Sequence, residues 1–138
     1  MRARLPCFSL ASTLLLGLAL TGTAAATPAA GLSAAFDTCT DRARGLSQQR
    51  ACVTQEKTRQ DKRLNDVQVQ LLRRLAPAAR SRLQVAQRGW LQWHAREGEF
   101  ATSLLGAPPT VHLEGGVMEA QRLAARAETL EHYLDQLR

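Results

Sequence analysis

Residues 83–104 read LQVAQRGWLQWHAREGEFATSL, and the apolar or aromatic positions Leu83, Ala86, Trp90, Trp93, Phe100 and Leu104 recur at spacings of three and four. Only Glu97 interrupts the series. A helix of 3.6 residues per turn gathers such positions on one stripe. Both tryptophans of the chain stand there, with the largest apolar areas available for burial. The pattern predicts an organising helix whose stripe forms the core and receives the other helices.

The chain has 138 residues, enough for one domain and too few for two ordinary ones. Hydrophobic residues make up 45%, the usual share for a folded protein, which excludes wholesale disorder. The formal charge is +6, and it falls to about +4 without Arg2 and Arg4. Arginine carries almost all of the excess, and arginine suits bidentate carboxylate or phosphate contacts. Its interleaving with Asp and Glu along the chain is the pattern of a solvated helix face.

Arg2 and Arg4 precede an apolar run over 8–20, followed by Ala24-Ala25-Ala26. This is the pattern of a secretory signal peptide, expected over 1–26 with cleavage after Ala26. The run is shorter than the ~20 residues a membrane-spanning helix needs. Cys7 precedes it, whereas a lipoprotein cysteine follows it, so export to the periplasm or beyond is expected without a lipid anchor. Removal of the leader leaves Cys39 and Cys52, an even pair bound for an oxidising compartment, where a disulfide is the expected state. Metal binding lacks further ligands at finger-like spacing, and a catalytic thiol would need Cys52 to stay reduced.

Residues 27–31 are small and include Pro28, and 27–32 reads as a mobile lead-in to a single domain over 33–138. Ser33 is placed to cap a short helix ending near Arg44, with Gly45 as its stop. Ser47 is placed to cap a long helix over 48–76, polar in its first half and carrying Leu64, Val67, Leu71 and Leu75 in its second. Pro77 breaks it and opens the organising helix. Gly106 to Thr110 reads as a loop, Gly115-Gly116 as a flexible point, and 117–137 as the last helix. The expected fold is therefore all-α: three main helices and one short N-terminal helix, with one disulfide.

Chemistry-bearing patterns are sparse. His94, His112 and His132 lack the i, i+4 spacing that brings two imidazoles to one metal, so neither metal nor cofactor is expected. His94 and Glu97 stand one turn apart, but no nucleophile accompanies them, and a surface pair is the plainer reading than an acid/base dyad. No phosphate loop, nucleophile elbow or dinucleotide fingerprint occurs, so an enzyme is not expected. Export and the assignment of the aromatics to the core stripe argue against nucleic acid.

At Ala86-Gln87-Arg88-Gly89-Trp90 the chain resembles the lysozyme-inhibitor LprI-like family of small exported bacterial proteins. The resemblance takes in Cys39, Ala43 and Cys52, then Asp61, Leu64 and Asn65, then Leu83, Gln87, Arg88 and Trp90, and finally Arg126 and Leu130. Gln68 stands where the family usually has an aromatic residue, and the family's second cysteine pair falls on Gly98 and Met118. Paired loss leaves no lone thiol to mispair. The resemblance implies an all-helical envelope domain that binds another protein, with a lysozyme-type glycosidase as first candidate. Asp61, Leu64, Asn65, Gln87, Trp90 and Arg126 are its structural motif residues. Arg88 is expected to reach the catalytic carboxylates of a lysozyme cleft, while Glu97 and Glu99 help form an acidic patch facing a basic partner. The alternative is an envelope-surface binder that contacts anionic lipid or polysaccharide through the arginine-bearing first half of the long helix.

Overall fold

The computed structural model describes residues 31–105 and 109–137. They form four helices, α1 (Ala34–Arg42), α2 (Leu46–Arg74), α3 (Pro77–Leu105) and α4 (Pro109–Asp135), with no strand among the described residues. The expected leader over 1–26 and residues 27–30 of the lead-in lie outside the described residues. Gly31 and Leu32 lie inside them, and Leu32 packs against a small apolar cluster of Phe36, Cys52 and Val53.

Ser33 caps α1 as its sequence position suggests, its hydroxyl accepting from the Phe36 amide at 3.2 Å. The next boundary differs from expectation. Helix α2 begins at Leu46 with Gly45 as its cap residue, and Ser47 lies inside the first turn. Gly45 has φ 97°, in the left-handed region that glycine reaches without a side-chain clash, so the chain reverses sharply enough to start α2 earlier. The reversal lays α1 along α2, where Cys39 and Cys52 form the expected disulfide with Cα atoms 5.7 Å apart.

Helices α2 and α4 share by far the largest interface, α1 adds to α2, and α3 meets the pair along a thinner seam. Contacts fix the directions. Lys57 pairs with Glu119 at 2.5 Å and Arg63 with Glu131 at 2.5 Å, so α2 and α4 run parallel. Gln87 meets Arg126, while His94 further along α3 stands beside Arg122 earlier on α4, so α3 runs antiparallel to α4 at the edge of the pair. The core comprises Leu64, Val67 and Leu71 from α2 with Leu123, Ala127, Leu130 and Leu134 from α4. Alanines at 120, 124 and 127, all buried, let the two helices approach closely.

Two expectations give way here. The organising role belongs to α2 and α4. On α3, Leu83 and Trp90 pack against the core, but Trp93, Phe100 and Leu104 are 49%, 57% and 68% exposed. Helical periodicity reports that a stripe exists, and the tight α2–α4 seam leaves no room for all of this one. The second correction concerns Gly115-Gly116, which lies within α4 and not at a flexible point before it. A Cβ on Gly116 would stand 2.7 Å from Val53 Cγ1, so this glycine permits a close helix crossing. Gly116→Ala should lower stability by about 1–3 kcal/mol through overpacking, even though alanine favours helix. A denaturant titration showing Gly116→Ala at or above wild-type stability would refute the crossing argument.

Candidate functional site

Three of the six motif residues named from sequence, Gln87, Trp90 and Arg126, meet at the junction of α3 and α4. Gln87 is buried on α3, and its side-chain oxygen accepts from Arg126 Nε at 2.9 Å. The Arg126 guanidinium lies 5.9 Å from the centre of the Trp90 ring, within range of a cation–π contact. Trp90 also stacks on His94, with centroids 4.8 Å apart and planes 19° from parallel. The one-turn pairing of His94 with Glu97 is not made. Burial foremost, and then the positive charge of Arg122, hold the His94 pKa below its ordinary value, and its Nδ1 is buried without a hydrogen-bond partner. Leu64 is core, and Asn65 donates to Asp61 at 3.1 Å on the exposed side of α2.

A second polar assembly, which the residue types of α2 do not announce, lies between the start of α1 and α2. Glu56 is fully buried. Its carboxylate accepts from the Ser33 amide (2.8 Å), the Ser33 hydroxyl (2.6 Å) and Gln60 Nε2 (2.6 Å), and pairs with Arg59. Burial alone would raise its pKa, but donation from Gln60, Ser33 and Arg59 outweighs that and holds it below the ordinary 4.5. Gln60 passes the connection to Arg63, which makes two bonds to Glu131 on α4. The signal was present in the spacing, since Val53, Glu56, Gln60, Leu64, Val67 and Leu71 form one continuous series of threes and fours.

The same contacts bear on the first half of α2 as a surface for anions. Lys57, Arg59, Lys62 and Arg63 all pair with carboxylates of this chain, so little of that charge faces outward uncompensated.

The outer surface of α3 is differently disposed. Trp93, Phe100 and Leu104 project on one side, with Glu97 and Arg96 flanking them at about 100° per residue. Arg88 and Glu99 share another side, since Arg88 and Glu97 differ by about 180° around the axis. The three expected contact residues are thus not brought together. Arg88 and Glu99 are exposed, Glu97 is half-buried, and Arg88 has no hydrogen bond or ion pair among the described residues. Gly98 and Met118 stand on α3 and α4 beside this region, with open space around a Cβ at Gly98. No disulfide ties the far half of α3 to α4 among the described residues.

Among the described residues no group of three His, Cys, Asp or Glu side chains stands ready to hold a metal ion, and no helix is long and apolar enough to cross a membrane. No curated protein and no solved structure matches the chain. The family model described as lysozyme inhibitor LprI matches residues 39–137, which takes in α2, α3 and α4 and both disulfide cysteines; the chain belongs to that family.

Proposed function

We propose that this is an exported, non-enzymatic inhibitor that blocks the cleft of a lysozyme-type glycosidase with the outer face of α3. The observation that carries the reading is the exposed stripe of Trp93, Phe100 and Leu104, an apolar surface its own domain leaves uncovered. An exposed apolar stripe that includes a tryptophan and is flanked by charged residues has the composition of protein-binding hot spots. Family membership supplies the target class.

Charge placement fits a basic partner better than the net charge does. No acidic residue occurs between Asp66 and Glu97, while Arg73, Arg74, Arg80, Arg82, Arg88 and Arg96 do. The positive excess therefore collects toward the α2–α3 turn. The far half of α3, where the stripe lies, carries Glu97 and Glu99 against Arg96 alone, so a basic glycosidase approaches that end with less repulsion.

In a cell-wall hydrolysis assay with a c-type lysozyme, stoichiometric protein should suppress turnover. Trp93→Ala should weaken inhibition about 30-fold, the size of a hot-spot truncation, with an unchanged melting temperature. Arg88→Ala tests the adjacent face. If Arg88→Ala weakens inhibition and Trp93→Ala does not, the arginine side of α3 makes the contact. No inhibition at micromolar protein would remove the functional reading altogether.

A further inference from the structure

A cavity of about 410 Å³ opens where the end of α2, the start of α3 and the end of α4 converge. Its walls are largely apolar and include Leu71, Leu75, Leu83 and Ala86. Four polar side chains interrupt them: Arg82, Arg126, Tyr133 and Gln136. No acidic side chain lines the cavity among the described residues. The nearby α4 carboxylate of Glu131 is already taken by Arg63, through bonds of 2.7 and 2.5 Å.

Arg126 is held in place but not neutralised. Gln87 fixes its Nε, Trp90 lies under its guanidinium, and its terminal nitrogens have no hydrogen-bond partner among the described residues. Burial pushes its pKa down, as it must for a cation drawn from water without a counter-charge. A guanidinium held so presents two parallel N–H groups, the geometry a carboxylate matches bidentately. The volume and lining are those of small-molecule sites, which are mostly apolar with a few placed polar groups. The surrounding absence of acidic residues from 67 to 96 favours an anionic head and rejects a cationic one.

We infer that this cavity binds a carboxylate amphiphile of the fatty-acid class, its head paired with Arg126 and Arg82 and its acyl chain lying against Leu71 and Leu83. The site is separate from the exposed stripe proposed to contact a glycosidase, so the two assignments stand or fall independently.

Isothermal titration of the full chain with decanoate, decanol and decyltrimethylammonium, each below its micelle concentration, tests the assignment. Decanoate should bind one per chain, with decanol at least about tenfold weaker and the ammonium compound weaker still. Arg126→Gln should remove the preference for decanoate over decanol. Because Arg126 also supports Trp90, Ala86→Phe provides a second route: Ala86 is exposed, and a phenyl group there fills the cavity without entering the core. This variant should keep the wild-type melting temperature and lose decanoate. Equal affinity for decanoate and decanol, binding that survives Ala86→Phe, or no decanoate binding at millimolar concentration would each overturn the inference.

Discussion

Glu56→Ala should lower the free energy of unfolding by about 3 kcal/mol, the upper end of the cost of leaving buried hydrogen-bond donors without their acceptor, since Arg59 is 42% exposed and water can take up its charge. The carboxylate is fully buried and satisfies two donors from Ser33, one from Gln60 and one from Arg59. Truncation leaves the buried Gln60 amide and the two Ser33 donors without their acceptor, and it releases the fastening of the segment entering α1 to α2. Glu56→Gln keeps the shape and loses the charge, so its cost should be smaller and should depend on pH. The native carboxyl titrates below its ordinary 4.5, so its contribution is complete above 4.5 and disappears as pH falls through the native value. Denaturant midpoints of wild type and Glu56→Gln should therefore converge as pH drops below 4.5. A constant gap down to pH 2 would mean that the charge contributes nothing.

The helix count, the Ser33 cap, the Pro77 break and the Cys39–Cys52 bridge were legible because each rests on local chemistry or on arithmetic: a cap oxygen, a missing N–H, an even number of thiols. Which helix face meets which was not legible. Stripes on α3 and α4 look alike in periodicity, and α3 carries the larger side chains. What decided the packing was smallness: Gly116, Ala120, Ala124 and Ala127 allow α4 to close on α2, and the bulkier α3 is left at the edge. Glu56 and Gln60 follow the same logic: their polarity suggests solvent, while their spacing places them in the seam. For the candidate site, Gln87, Trp90 and Arg126 were named as structural and do meet, yet the cavity their arrangement leaves beside Leu71 depends on the convergence of three helix ends far apart in sequence.

If the α2–α4 seam is the core, Leu130→Ala should cost about 2–5 kcal/mol, while Phe100→Ala should change stability by less than about 0.5 kcal/mol. Leu130 has no solvent-exposed surface and stands among Leu64, Val67, Leu123 and Leu134, so truncation both loses transfer free energy and opens a cavity. Its neighbours Ala127 and Ala124 have no side-chain length with which to fill the gap, which places the cost toward the upper end of that range. Phe100 is the larger side chain, and a reading of hydrophobicity alone would rank it above Leu130. It is more than half exposed and belongs to no core cluster, so the order reverses. Urea titrations of the two variants decide the matter, since both should retain the wild-type slope while only Leu130→Ala moves the midpoint. A large loss for Phe100→Ala would place α3 at the centre of the bundle and withdraw the exposed stripe on which inhibition by α3 depends. A small loss for Leu130→Ala would show that α4 can be shed from α2, and with it the junction that holds Arg126 in place.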